Sequence, residues 1–265
     1  MAPAAKRPPR DLSLITSLSG HGLNGHDGRG HGLSAPGLSA PGLAAPPTSA
    51  VDRVYEDLLR RILTLDLPPE TPLSRSDLCA AYQVSQTPVR EALQRLEQLG
   101  LVDIFPQSRT VVSRIDVDEL RQNHFLRVAL ECEVAKVLAR SHDDALIGRL
   151  QAIVDYQAAI ADDAEQIEMF DRLDTSFHDA MFHEAGQPRL QALIRLYSGQ
   201  MIRARRLELP HGSKKRRVVQ GHQAIIDGIR TGDPWQAEEA MRRHLTGTIT
   251  RIDSLKAKHP RYFTD

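Results

Sequence analysis

Apolar residues recur with helical spacing through most of the chain, and the spacing changes once. Val51, Val54, Tyr55, Leu58, Leu59, Ile62 and Leu63 fall at i, i+3, i+4, i+7 and i+8, which lines one face of a first helix. Leu67-Pro68-Pro69 ends it. Ser74 with Asp77 three residues on forms a capping box for a second helix running to about Tyr82. After the turn Gln83-Val84-Ser85, the stripe Val89, Ala92, Leu93, Leu96 and Leu99 predicts a third helix ending at Gly100. The pattern then shortens to two β-prone runs, 101–105 and 110–113, joined by Pro106-Gln107-Ser108-Arg109 as a hairpin. Three helices, a tight turn and a hairpin wing spell a winged helix-turn-helix.

From Asp116 onward only helical periodicity remains. Helices are predicted over 116–140, 143–162, 165–184, 188–209, 214–231 and 233–257. Short connectors make neighbours pack antiparallel, so the fold class is mainly α, a winged helix-turn-helix followed by an antiparallel six-helix bundle. The predicted divisions are a Gly/Pro/Ala-rich tail over 1–49, a DNA-reading domain over 50–115, a helical sensing domain over 116–258 and a C-terminal tail over 259–265.

Composition adds limits. The tail repeats Leu33-Ser34-Ala35-Pro36-Gly37 as Leu38-Ser39-Ala40-Pro41-Gly42 and has too little apolar surface to offset chain entropy, so it is expected to be disordered. His21, His26 and His31 recur every five residues there, too sparsely in a flexible tract to make a metal site. Cys79 and Cys132 stand far apart in helical patterns and read as reduced thiols of a cytoplasmic protein. No apolar run approaches the roughly 20 residues that span a bilayer, so no membrane partner is expected. Formal net charge is zero, and residues 51–114 hold eight Arg and no Lys against nine Asp and Glu, so a nucleic-acid reading rests on local pattern.

Four residues carry the strongest chemical signal. Thr231-Gly232-Asp233-Pro234 supplies a helix stop, an N-cap and a first-turn proline, folding two helices against each other. His222 lies ten residues before Gly232 and His244 eleven after Asp233. At the standard helical rise both sit roughly 15–17 Å from the turn. Asp174 and His178 are i and i+4 on one helix face. Three imidazoles and a carboxylate converging in a bundle suggest a divalent metal, with Zn first and Ni, Mn or Fe compatible. His183, at i+5 from His178, faces elsewhere, and His124 and His142 have no partner at ligand spacing.

On the third helix, Gln86 and Arg90 face away from Val89 and Leu93, where Gln can read adenine and Arg guanine. Ser85 and Thr87 can donate to phosphates, and Arg109 at the wing can reach a phosphate or the minor groove. The stretch from Val84-Ser85-Gln86-Thr87-Pro88-Val89-Arg90-Glu91-Ala92-Leu93 through Gly100-Leu101-Val102 resembles the GntR-family signature for the turn, recognition helix and first wing strand. The family usually has Gly where Gln83 stands, Arg where Gln86 stands and Gly near Arg109, so the usual family operator is not implied.

The C-terminal half resembles the FadR C-terminal domain (FCD) subfamily. The matches are Asp174-Thr175-Ser176-Phe177-His178, Ala185-Gly186-Gln187-Pro188-Arg189-Leu190, Gly221-His222-Gln223-Ala224-Ile225-Ile226 and Met241-Arg242-Arg243-His244-Leu245. Metal-binding members hold their ion with the same four residue types at the positions of Asp174, His178, His222 and His244. Six helices resemble the VanR-like branch. The resemblance implies a small organic-acid effector, for which Arg127 and Arg203 are the candidate carboxylate binders, each equally suited to a surface ion pair. The run Lys214-Lys215-Arg216-Arg217 reads as a solvated helix start.

The resulting expectation is a cytoplasmic, homodimeric transcription regulator, a repressor by the family's commoner outcome, that binds a double-stranded operator and answers a small carboxylate; it is not an enzyme. The rivals are a metal-dependent hydrolase or lyase with an accessory nucleic-acid-binding head, and a metal-storage or interaction protein. The DNA-reading head argues against both.

Overall fold

The computed structural model describes residues 49–208 and 212–264. The predicted tail, with its three histidines, lies outside the described residues apart from Ser49. Helix α1 (Ala50–Leu63) starts where the Ser49 side chain accepts from the Asp52 amide at 3.1 Å, and it buries Val54, Leu58 and Ile62 against α3 (Gln86–Gln98). Helix α2 (Arg75–Tyr82) is capped by Ser74. It stops at Gln83, which adopts the left-handed conformation at φ 54° and ψ 48°. Strands β1 (Val102–Phe105) and β2 (Arg109–Val112) pair antiparallel, with Val102 opposite Val112 and Phe105 opposite Arg109. Periodicity did not reveal a third edge: Thr71 accepts from the Val112 amide at 3.0 Å and Leu73 donates to Thr110 at 2.8 Å. The segment ahead of α2 thereby clamps the wing.

The C-terminal half consists of α4 (Val117–Ser141), α5 (Asp144–Ala159), α6 (Ile167–Glu184), α7 (Pro188–Tyr197), α8 (Gly199–Arg206), α9 (Gly212–Arg230), α10 (Pro234–Ile249) and α11 (Ile252–Lys258). Two predicted helices are therefore each broken. At the first break the Ser198 hydroxyl donates back to the Ile194 carbonyl at 2.6 Å, taking an acceptor from the helical ladder. Gly199 follows, where a Cβ would lie 2.8 Å from Leu101 Cδ2, so α8 sits hard against the winged domain. At the second break Thr250 bonds back to Thr246 at 3.2 Å, and Arg251 turns aside to grip Glu208 with two hydrogen bonds.

Helix α10 packs on both α4 and α9, around a core that includes Leu138, Leu150, Phe177, Phe182, Ile225, Ile229 and Met241. Gly232 takes φ 74° and Asp233 caps α10 by accepting from the Trp235 amide, as the turn residues predict. Two glycines on α9 allow the close approach. A Cβ at Gly228 would meet Ala237 Cα at 3.0 Å, and one at Gly221 would meet His244 Nδ1 at 2.6 Å.

Residues 259–264 do not trail. Phe263 is buried with Ile115, Leu120, Met201 and Leu255, and its neighbours pair with the linker through Ile115 N to Tyr262 O at 2.7 Å and Thr264 N to Ile115 O at 3.0 Å. The basic run at the start of α9 also differs from expectation. Lys214 and Lys215 are buried, Lys214 against Glu208 and Thr248, and Lys215 against the Asp163 carbonyl and the Phe170 ring. Only Arg216 and Arg217 are solvated.

Candidate functional site

Helix α6 carries Asp174 and His178, α9 carries His222, and α10 carries His244. One ligand atom from each lies within 4.8 Å of all the others. The ring centroids of His178 and His222 are 5.4 Å apart, and those of His222 and His244 are 4.6 Å apart. His222 is wholly buried and stacks on Phe177 at 4.0 Å. Asp174 Oδ1, both ring nitrogens of His178 and His222 Nε2 are buried without a hydrogen-bond partner among the described residues. Such groups ordinarily cost free energy, and a cation among them is one way to satisfy them.

The surrounding charges keep the donors in ligating form. Burial would lift the Asp174 carboxyl, but Arg205, whose Nη1 donates to Oδ2 at 2.8 Å, holds it well below the usual carboxylate range. Burial pushes His222 down to about 3 and His244 well below its usual value, so both rings are neutral near pH 7. Behind the donors, Glu131 Oε2 lies 2.7 Å from His178 Nδ1, and Gln157 Oε1 lies 2.7 Å from His222 Nδ1. Burial would raise Glu131, yet Arg127 and His178 bring it down to about 2. Arg127 Nε donates to Glu131 Oε1 at 2.6 Å.

The other face of interest belongs to α3 and the wing. Ser85, Gln86, Thr87 and Arg90 are all exposed at the start of α3, opposite the buried Val89 and Leu93. Arg109 is exposed as the first residue of β2, with its guanidinium 5.1 Å from the Phe105 ring. Ser85 makes no side-chain cap bond, which leaves its hydroxyl available.

Residues 50–112 match the family described as "Bacterial regulatory proteins, gntR family", and residues 124–247 match the FCD domain. A regulator from Streptomyces ambofaciens, named for an unstable DNA locus, is 34% identical over 79% of this chain and 88% of its own length. The chain belongs to the GntR family. This regulator is also 28% identical to the transcriptional repressor RspR of Escherichia coli, over 83% of this chain and 96% of that one. Its fold resembles that of E. coli McbR/YncC, with a TM-score of 0.63 at 18% identity over 80% of this chain and 99% of that one. A putative GntR regulator from Rhodococcus gives a TM-score of 0.64 at 21% identity, covering 78% and 99%. The family is one of DNA-binding transcriptional regulators, and the hydrolase or lyase alternative falls with it.

In this regulator Arg203 is not beside the cluster. It is completely buried at the joint with the winged domain, donating to Ser113 O at 2.6 Å and to Gln200 Oε1 at 2.5 Å. Gln200 in turn donates to Gly100 O and Glu119 Oε2. The guanidinium that does reach the cluster is Arg205. Within Arg203-Ala204-Arg205-Arg206 the sequence offers no way to choose, because the break at Ser198 resets which face of α8 looks inward. Arg127 touches the cluster only through Glu131. Sequence reasoning also missed Glu131, Gln157 and Gly221. Glu131 and Gln157 do carry a signal: each occupies an inward position on its helix, with Ala135 and Leu138 or Leu150 and Val154, where an apolar residue is the rule.

Proposed function

We propose that this regulator is a transcriptional repressor whose FCD domain holds a divalent metal through Asp174, His178, His222 and His244 and reads a small carboxylate effector. The observation that carries this is the convergence of three buried, unpartnered acceptor atoms with a third imidazole. Three neutral nitrogens and one carboxylate suit zinc, and also nickel, manganese or iron. When bound, the ion supplies a Lewis-acidic position for an anionic oxygen ligand.

Charge supports an anionic effector. Asp174 and Glu131 are balanced by Arg205 and Arg127, so the protein side of the site is neutral. A divalent ion leaves a buried excess of two positive charges, and an acid with a carboxylate beside another oxygen donor offsets it. Arg205 and Arg127 keep their carboxylates ionised and in place.

The DNA side rests on the exposed start of α3 and on the wing. Gln86 and Arg90 read base edges, Ser85 and Thr87 hold phosphates, and Arg109 reaches a phosphate or the minor groove. A homodimer presents two such heads to a pseudo-palindromic operator. No described helix is long and apolar enough to cross a membrane, in keeping with work on cytoplasmic DNA.

The test is metal analysis of chelator-stripped protein offered zinc, joined to a gel shift on the chain's own upstream DNA. One ion per chain and a salt-sensitive specific complex are expected. A folded protein that takes up no stoichiometric zinc, nickel, manganese or iron overturns the metal reading.

A further inference from the structure

Helices α4 and α5 give no donor to the four-residue cluster, yet each sends one fully buried polar side chain to the back of a histidine ring. Glu131 comes from α4 and Gln157 from α5. A buried polar group facing another at 2.7 Å fixes where the proton sits. Arg127 donates to both oxygens of Glu131, from Nε to Oε1 at 2.6 Å and from Nη2 to Oε2 at 3.4 Å, so Oε2 is a carboxylate oxygen that only accepts. Oε2 lies 2.7 Å from His178 Nδ1 as an ion-pair contact rather than an aligned hydrogen bond, and a proton on Nδ1 is the arrangement that an acceptor-only oxygen at this distance favours. Gln157 presents Oε1 to His222 Nδ1. Turning the amide round would move the ring proton to Nε2, which has no hydrogen-bond partner among the described residues; Asp174 Oδ1 is 3.6 Å away, too far for a hydrogen bond.

We infer that Glu131 and Gln157 are positioning residues: Gln157 by a hydrogen bond and Glu131 by its charge hold His222 and His178 as Nδ1–H tautomers, so that both Nε2 lone pairs face the cluster before any ion arrives. The inference rests on reading the four residues as metal ligands, but the lock itself is a property of the metal-free chain. The two locks are unequal. A carboxylate backs His178 through its charge, whereas a neutral amide backs His222 through a hydrogen bond. Arg127 belongs to the first lock, because it holds Glu131 by both oxygens. This gives Arg127 a place in the site without contact to any effector.

The experiment uses the full chain, stripped of metal and labelled with 15N at histidine, in long-range 1H–15N correlation spectra near pH 7.5. Both rings are expected to show a protonated Nδ1 and a bare Nε2, with no averaging between tautomers. Gln157→Leu should release the His222 ring alone and weaken zinc affinity by about 10–100-fold in chelator competition. Gln157→Glu restores an acceptor and should restore both the tautomer and the affinity. Glu131→Gln keeps an acceptor but loses the charge, so it should retain the His178 tautomer with weaker zinc binding. Circular dichroism shows whether each variant is folded, and the wild-type spectrum needs no variant. A wild-type ring found protonated on Nε2 overturns the inference, as does a folded Gln157→Leu with an unchanged His222 ring and unchanged zinc affinity. Both rings locked as described in a protein that takes up no zinc would sink the metal reading alone and leave the lock standing.

Discussion

The winged head and the helical domain use their polar residues in opposite ways. In the head the side chains suited to DNA stand on the surface, and the core beneath them is apolar: Val54, Leu58, Val89, Leu93 and Leu96 need nothing from Gln86 or Arg90. In the helical domain the polar residues are the centre of the core, and each is tied to the next, from Arg127 through Glu131 to His178 and from Arg205 to Asp174. A surface contact can be removed without consequence for folding, while a member of a buried network cannot. Binding and stability should therefore separate in the head and move together in the helical domain.

The largest test of that contrast is His222→Ala. It empties a fully buried position, removes a donor and leaves Gln157 and Asp174 facing a void. Zinc affinity should fall by a hundredfold or more, and the melting temperature of the helical domain should drop by several degrees, for a cost on the order of 2–4 kcal/mol. Operator affinity without effector should stay within about threefold of wild type, which is less than 1 kcal/mol. Loss of DNA binding in parallel with zinc would erase the contrast. Elemental analysis, calorimetry and gel shifts cover the three readings.

Acid gives a second contrast, since residues 49–113 contain no histidine. In the helical domain burial holds His222 near 3 and His244 well below its usual value. Below pH 6.5 the unfolded chain therefore takes up protons that the folded chain refuses, and stability falls as pH falls. Asp171 has the opposite sign, because burial lifts it to about 6 and it gains stability as pH drops through that value. His124 is lowered by burial as well, and three groups outweigh one, so between pH 7 and 5 the helical domain should lose melting temperature while the head does not. Scanning calorimetry over this range checks it, and a head that softens first would contradict it.

Arg90→Ala should cost about 1–3 kcal/mol of specific DNA binding and leave the melting temperature unchanged. A fall in stability beyond about 0.5 kcal/mol would mean that the exposed face of α3 is not independent of its core. The smallest effect is expected at Gln83. Its left-handed backbone, φ 54°, strains any residue with a Cβ, and Gln83→Gly should stabilise the head by about 1 kcal/mol without altering base preference. Denaturant titration and a binding selection measure the two separately.

The same contrast governs what could be read in advance. Spacing alone brought out the winged architecture, because α1 to α3 each bury a simple periodic stripe and end at recognisable caps. It also brought Asp174, His178, His222 and His244 together, since i, i+4 spacing and equal distance from a Gly-Asp-Pro turn are one-dimensional facts. The breaks at Ser198 and Thr250 were hidden: a hydroxyl that bonds back to its own helix looks, in sequence, like any tolerated serine or threonine. Arg203, read as either a carboxylate binder or a surface ion pair, is neither exposed nor on the cluster but buried at the joint, because the break at Ser198 resets the face of α8 in a way that no periodicity predicts. The supports of the histidines, Glu131 and Gln157, stand out in sequence only as polar residues at inward helix positions, and because their helices share no spacing with the cluster, only three dimensions pair them with the rings.

Helix α8 is short enough to behave as a ruler. Gln200 and Arg203 fasten it to the winged domain, and Arg205 and Arg206 fasten it to Asp174 and Asp171 on α6. From Gln200 to Arg205 the axial span is only about 7.5 Å, and a helix of this length neither stretches nor slips. Its mountings leave little slack, because Gly199 is already hard against Leu101. Any displacement of α6 that Arg205 follows must therefore appear, nearly undiminished, either at Ser113 or as a hinge at Ser198. The slack of that part of the molecule rests on one serine and one glycine.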